Sequence, residues 1–442
     1  MSHYKPYPAY KDSGVEWLGR VPEHWAVCKL SYRYSIELGK MLDEKRLTKT
    51  SLVPYLRNQD VQWGSINTQD LPEMDIHPEE LERYTIQDGD LLVCEGGDVG
   101  RAAIWRGESA AFGYQKALHR LRHRSVGADT AEFFYFSLLT AKQRGVFEES
   151  DSKATIAHLP AEKFRQYRFA FPSLLEQRWI ATHLDRETAR IDALVEKKTL
   201  FIELLREKRQ ALITHSVTKG LDPNVKMKNS GVEWLGEVPE HWEMVPLKYV
   251  TPSLTVGIVV NPSDYVADEG LPFLYGGDIG EGVIFAETAR RISPEHSQRN
   301  AKTRLSAGDL VTVRVGAPGV TAVVPPDCEG GNCASVMLIR RGAFESDWLC
   351  YVMNSRVVRY QVEVVQYGAA QEQFNISHAV DFLIPVPPLE EQAQIASALN
   401  QEGRRVDALI SRTKRSIELL KERRSAVITA AVTGQIDLRE AV

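Results

Sequence analysis

Apolar residues recur at alternating spacings of three and four along two stretches of the chain, Pro172 to Thr218 and Pro387 to Thr433. In the first the repeat runs through Leu184, Ile191, Leu205 and Leu212, with Ile180, Leu194 and Phe201 beside them. The second echoes it with Leu399, Val406, Leu420 and Val427, accompanied by Ile395 and Leu409. Polar residues interrupt the stripe at Glu187, Lys198, Glu402 and Thr413. This spacing predicts two long helices with a heptad seam. Ser173 and Glu176 form a capping-box signature after Pro172, and Lys219-Gly220 supplies a stop. Pro387-Pro388 with Glu390-Glu391 opens the second helix, and Gly434 closes it. At roughly 45 residues each, such helices are roughly 65 to 70 Å long. A stripe of that length is too long for one small domain to cover, so the two are expected to pair as an intramolecular coiled coil. An antiparallel arrangement would place the remaining globular bodies at opposite ends.

The helices belong to a larger repeat. The segment from Ser13 to Trp25 recurs from Ser230 to Trp242 with a single difference, Arg20 against Glu237. Downstream, Glu176-Gln177 answers Glu391-Gln392, Asp192-Ala193-Leu194 answers Asp407-Ala408-Leu409, and the Ile202 to Leu205 run answers Ile417 to Leu420. Between these anchors the likeness thins to Gly89-Asp90-Leu91 against Gly308-Asp309-Leu310 and Tyr55-Leu56 against Phe273-Leu274. Each unit is therefore a near-constant entry segment, a divergent body and a near-constant helix, as expected of two bodies that share a scaffold and contact different things. The bodies mix short β-type runs with turn signals. Asp90 to Cys94 and Asp309 to Val313 read as strands entering glycine-rich turns, and helical patterns follow over Glu132 to Gly145 and Asp347 to Val365.

Length of 442 residues already implies subdivision, and 43% hydrophobic with 26% charged residues describes an ordinary folded chain. Five cysteines without a CxxC pair argue against a disulfide framework or a closed zinc site and point to a reducing cytoplasm. No apolar run reaches the roughly 20 residues that span a bilayer, so no membrane association is expected. The net charge of −5 weighs mildly against a free-standing nucleic-acid binder.

Several chemistries lack their signatures. There is no GxxxxGK[ST] phosphate loop, since Gly39-Lys40 runs into Met41. The glycines of Gly96 to Gly100 and Gly276 to Gly280 read as β-turns, because no dinucleotide fingerprint accompanies them. An adenine methyltransferase needs an Asn/Asp-Pro-Pro-aromatic tetrapeptide, which neither Asn261-Pro262-Ser263 nor Pro325-Pro326-Asp327 supplies. His24 and His241, each between Glu and Trp, read as parts of a packed turn rather than metal or acid-base sites, as do His158 and His378. No catalytic or metal-binding residue is expected. Basic residues do gather locally, at Arg101, Arg106, Lys116, Arg120, Arg122 and Arg124 in one body and from Arg290 to Arg341 in the other. Such groups suit phosphates or simply a solvated face. Amides beside them, Gln115, Asn300, Gln371, Gln373 and Asn375, suit bidentate reading of adenine.

One run is more specific. Gly368-Ala369-Ala370-Gln371, Asn375-Ile376-Ser377 and the stretch from Ile384 to Gln392 resemble the end of a target recognition domain running into a spacer helix, and Tyr10 to Gly19 resembles the start of the same family. That family is the specificity subunit of type I restriction-modification systems. The first copy departs from the pattern, with Asp151 to His158 where the Gly-to-Ser loop would stand and Pro172-Ser173-Leu174 in place of the double proline. The resemblance implies an α+β fold with two target recognition domains separated by two long helices in an antiparallel coiled coil, a pseudo-twofold repeat. Its boundaries would be an entry segment at 1–26, a first recognition domain at 27–172, a second entry segment with its recognition domain at 229–388, and spacer helices at 173–220 and 389–434. Each recognition domain would read half of a bipartite site on double-stranded DNA, and the helices would set the spacer. Two modification subunits would bring S-adenosylmethionine and methylate adenine N6 after base flipping. Restriction subunits, using ATP and Mg2+, would translocate and cleave. The chain itself would be neither an enzyme nor a cofactor binder. Residues expected at DNA are Gln115, Lys116, Arg120, Arg122 and Lys153 in the first domain, and Arg299, Asn300, Lys302, Arg304, Arg314, Gln371, Gln373 and Asn375 in the second. Two other readings remain, a protein-binding adaptor and the specificity half of a split single-chain restriction enzyme.

Overall fold

The computed structural model describes residues 4–42, 48–107, 111–125, 127–148, 158–367 and 375–439. Contacts divide the chain into two compact units, Met1–Lys198 with Arg415–Val442, and Thr199–Lys414. The first body contributes β1 (Ala26–Lys29), β2 (Tyr34–Leu38), β3 (Leu52–Leu56), β4 (Leu91–Cys94), β5 (Ala102–Ile104), β6 (Gly113–Tyr114), β7 (Leu118–His123), α1 (Ala131–Gln143) and β8 (Arg168–Phe171). The long helix α2 spans Leu174–Lys219. The second body repeats the list with β9 (Glu243–Pro246), β10 (Leu254–Val256), β11 (Leu271–Leu274), β12 (Arg290–Ile292), β13 (Leu310–Thr312), β14 (Thr321–Val323), β15 (Asn332–Cys333), β16 (Met337–Ile339), α3 (Ser346–Asn354), α4 (Arg356–Tyr367) and β17 (Leu383–Val386). The second long helix, α5, spans Leu389–Val432.

The two bodies share the topology of their main sheet, while the second sheet has three strands in the first body and four in the second. A four-stranded antiparallel sheet has the order β5-β4-β7-β2 in the first and β14-β13-β16-β10 in the second. A second sheet holds the parallel pairs β3 with β6 and β11 with β15, and β1 pairs β8 as β9 pairs β17. Strand alternation explains the layering. Along β4, Leu91 and Val93 join the core beneath α1, with Phe134 and Leu138, while Leu92 and Cys94 join Leu56 and Tyr114 of the second sheet. In the other body Leu310 faces the helices with Trp348 and Val352, and Val311 faces Leu274 and Cys333. The central strands are buried on both faces, which is why they read as continuous apolar runs rather than alternating ones. The helical stretch expected from Asp347 to Val365 is two helices, broken at Ser355, whose extended backbone closes α3.

Each unit contains part of both long helices. In the first, Ile180, Ala181 and Leu184 of α2 pack with Val427, Ile428 and Ala431 of α5 and with Trp25 of the entry segment. In the second, Ile213 and Val217 of α2 share a core with Ile395, Ala396 and Leu399 of α5. The early part of one helix thus meets the late part of the other in both, an antiparallel pairing. Matching ion pairs join them, Arg424 with Asp192 and Arg209 with Asp407, both at 2.9 Å. The seam differs from the heptad reading, because Leu194, Phe201 and Leu409 are exposed. A helix of 3.6 residues per turn drifts about 20° per heptad against a 3.5 repeat. The inward position accordingly passes to Val195, Ile202 and Ile410, and Thr413 is buried on the seam rather than interrupting it.

Two glycines at equivalent places let the sheets cross. An added Cβ would stand 2.3 Å from the Gln115 carbonyl oxygen at Gly39 and 2.4 Å from that of Cys333 at Gly257. Replacing Gly257 by alanine forces strand β10 away from β15 and is expected to cost about 2 kcal/mol, in the range of overpacked sites. The Gly277→Ala control, where nothing lies within 4 Å, should leave the melting temperature unchanged. Equal melting of both variants would contradict this account.

Candidate nucleic-acid interface

The near-constant entry segment is fastened to the start of its own helix by a carboxylate. Glu176 is buried and accepts from the Tyr7 hydroxyl at 2.6 Å and Trp25 Nε1 at 3.0 Å, with His24 Nε2 at 3.0 Å on its other oxygen. Burial, reinforced by that carboxylate, pushes the Tyr7 phenol far above its ordinary pKa. The second copy repeats the arrangement, with Trp242 Nε1 at 3.0 Å and His241 Nε2 at 2.8 Å from Glu391. His24 and His241 are therefore members of a packed turn. The adjacent glutamines fasten the bodies. Gln177 Oε1 accepts from the Thr130 amide at the start of α1 at 2.9 Å, and its Nε2 donates to Asp129 at 2.8 Å and to the Pro172 carbonyl at 3.0 Å. Gln392 likewise accepts from the Glu345 amide at 3.0 Å and donates to the Pro387 carbonyl at 2.9 Å.

In each body one end of the main sheet is locked by an aspartate and an arginine. Asp90, just before β4, receives Arg122 in a bidentate pair at 2.8 and 2.6 Å and the Gln87 amide at 2.7 Å. Asp309, just before β13, receives Arg340 at 2.6 Å, the Arg341 amide at 2.9 Å and the Ser306 amide at 3.1 Å. Both carboxylates are 2% exposed, so each pair is a desolvated, charge-assisted lock. Arg120 is 4% exposed and donates to the carbonyls of Glu82, Arg83 and Thr85 at 2.9 to 3.1 Å. The expected DNA contacts Arg120 and Arg122 are thus engaged in holding the first body together. Sequence reasoning saw both arginines as part of a basic cluster. For Arg122 a signal is present, since the Asp–Arg spacing is 32 in one copy and 31 in the other; Arg120 has none.

The opposite end of each sheet carries loops. Gln115 and Lys116 precede β7, whose Leu118 lies across from Cys94 at the end of β4, so they stand away from the Asp90 lock; Lys116 is exposed. In the second body Arg314 follows β13, and its Nη2 donates to Asn375 Oδ1 at 3.0 Å, joining two predicted residues 61 positions apart. At the same end Arg290 of β12 lies 4.4 Å over the Tyr275 ring, and a Cβ on Gly276 would lie 3.3 Å from Val313. The remaining predicted residues are elsewhere. The carbonyls of Lys302 and Arg304 accept from Arg340 at 2.9 and 2.6 Å, which places them at the Asp309 lock. Arg299 pairs with Glu295 at 2.6 Å on its own short helix, and the Asn300 amide donates to the His296 carbonyl at 2.9 Å. Lys153, Gln371 and Gln373 lie outside the described residues.

Among the described residues no group of His, Cys, Asp and Glu could hold a metal ion, and no helix is long and apolar enough to cross a membrane. All five cysteines are free; burial pushes the Cys333 and Cys350 thiols up to about 12.

Comparison with known proteins agrees with the architecture. Residues 22–204 match the family model described as the type I restriction modification DNA specificity domain. The type I restriction enzyme MjaVIII specificity subunit of Methanocaldococcus jannaschii is 23% identical over 433 residues, covering 95% of each chain. The EcoBI specificity subunit of Escherichia coli is also 23% identical, over 87% of this chain and 80% of its own length. Among solved structures, one concerned with complex assembly and conformational transition of the type I R-M system has a chain that superposes with a TM-score of 0.72 at 18% identity, covering 94% of this chain and 99% of its own. The HsdS subunit from Thermoanaerobacter tengcongensis superposes with a TM-score of 0.59 at 19% identity, over 94% and 98%.

Proposed function

We propose that this chain, which belongs to the type I restriction-modification specificity subunits, reads a bipartite site on double-stranded DNA, one half with the loop end of each body. The observation that carries this is where the two copies agree and where they differ. The Asp–Arg lock, the main-sheet order and the Glu-Gln fastening recur almost unchanged, while the loop end carries Glu95, Gly96, Gln115 and Lys116 in one copy and Arg314, Val315, Ala334 and Ser335 at the same positions of the other. A scaffold repeated in detail around divergent tips is what two independent readers of different sequences require, since base edges specify and phosphates only position.

The paired helices would set the distance between the two readings and dock two modification subunits. Exposed leucines support the number two. Leu194 and Leu409 occupy equivalent positions at 38% and 43% exposure, as do Leu204 and Leu419 at 51% and 48%, so each unit offers one member of each pair to solvent. S-adenosylmethionine would be held by those partners, which would transfer methyl to adenine N6; restriction subunits using ATP and Mg2+ would join for cleavage. Partner cations would supply most of the phosphate neutralisation, consistent with a chain of net charge −5. This chain would contribute recognition and no catalytic group.

The test is an exchange of residues 27–171 for the corresponding body of another family member, followed by mapping methylated adenines in cells that also carry the modification subunit. The expected result is one new half-site beside one unchanged half-site at the same spacing. Alteration of both halves would overturn the division of labour, and loss of all sequence preference with the complex intact would overturn the DNA-reading proposal.

A further inference from the structure

The loop end of the second body carries three exposed valines at its tips. Val259 and Val260 follow the Gly257 crossing at 58% and 73% exposure, and Val315 stands at 58% beside Arg314. Their loops are neighbours in the fold. Ile258, just before Val259, bridges Ala334, the Ala334 amide donates to the Leu274 carbonyl at 2.8 Å, and Gly276, two residues beyond Leu274, would place a Cβ 4.0 Å from the Val315 carbonyl oxygen. The guanidiniums of Arg290, over Tyr275 at 4.4 Å, and of Arg314, bonded to Asn375 at 3.0 Å, stand at the same end. At the positions matching Val259, Val260 and Val315 the first body has Met41, Leu42 and Gly96, of which Met41 is itself 63% exposed.

Valine side chains at exposed loop tips cannot read a base edge by hydrogen bonding. Bracketed by cations that suit phosphates or guanine, they meet one strongly apolar group on the major-groove edge of a duplex, the C5 methyl of thymine. We propose that Val315, with Val259 and Val260, reads thymine methyls, so that the half-site of the second body contains at least one A·T pair recognised through its methyl group. This rests on the DNA-reading proposal above and names the chemistry of its second half.

The experiment uses the full chain in complex with its modification subunits and duplexes carrying the mapped site. Each thymine of the second half-site is replaced in turn by uracil, which removes only the methyl. For at least one thymine the affinity should fall about fourfold, the effect of leaving one methyl unburied. The same substitution should have no effect in complexes carrying Val315→Ala with Val260→Ala, whose melting should match the wild type because both side chains are exposed. If the second half-site lacks thymine, if uracil is tolerated at every position, or if the double variant keeps the full preference for thymine, the inference is overturned. Should the wild-type complex bind its own site and a scrambled duplex equally, the DNA-reading proposal itself fails, and the two failures are distinguished within one assay.

Discussion

Glu176→Ala should destabilise the first unit by about 3 to 5 kcal/mol, the range for removing one partner from a buried polar cluster, whereas Glu391→Ala should cost the second unit only about 1 to 2 kcal/mol. The Glu176 side chain is 4% exposed, against 25% for Glu391. It also serves three donors, because the Tyr7 hydroxyl joins the tryptophan and histidine; Glu391 serves two. Removing Glu176 strands the Tyr7 hydroxyl and Trp25 Nε1 among apolar neighbours, and water reaches the site around Glu391 more readily. Glu176→Gln keeps an oxygen for Tyr7 and Trp25 and should lose less than half as much. Thermal unfolding with hydrogen exchange over residues 4–25 reads the effect directly. The expectation is lost protection there in Glu176→Ala, with protection of residues 227–242 unchanged. Similar small losses in both alanine variants would show that the carboxylate is not the fastening. The consequence for function follows from Gln177 next door, which ties the start of α1 to the start of α2. A loosened helix start would let the first body tilt on its own helix and blur one half of the recognised sequence.

Much of this architecture was written in the sequence because a duplicated chain carries its own control. Matching Ser13 to Trp25 with Ser230 to Trp242 exposed the repeat, and spacing exposed the helices. What spacing could not show was the phase of the seam, since a heptad template assigns Leu194 and Phe201 inward while a helix of 3.6 residues per turn brings Val195 and Ile202 there. Charge clustering carries no information on depth, for a related reason. Arg120 and Arg122 are near Lys116 in sequence, yet β7 carries them to the opposite end of the sheet, where backbone carbonyls and Asp90 absorb them. The Arg314 to Asn375 contact joins residues 61 apart, which no local pattern encodes. Only the fold brings those loops to one end.

Lengthening both helices together should lengthen the recognised spacer. The helices are continuous over 46 and 44 residues, and the chain enters α2 directly from β8 of the first body and α5 directly from β17 of the second. Seven residues inserted after Lys198 and seven after Thr413 would sit at equivalent points of the repeat and preserve the register of the seam, which the Arg424–Asp192 and Arg209–Asp407 pairs report on its two sides. Each helix gains roughly 10 Å, close to three base pairs at about 3.4 Å each. With roughly 10 base pairs per turn of B-DNA, the second reading would also shift by about a third of a turn around the duplex. Methylation mapping should then find the same two half-sequences separated by about three more base pairs, or no methylation if the swing cannot be followed. Insertion into α2 alone leaves only one side of the seam in register and should abolish activity, because Asp192 and Arg209 then stand a heptad too far apart to meet Arg424 and Asp407 together. Full activity at the original spacing in the matched variant would show that the helices do not measure the site, and would leave the distance to be set by the modification subunits.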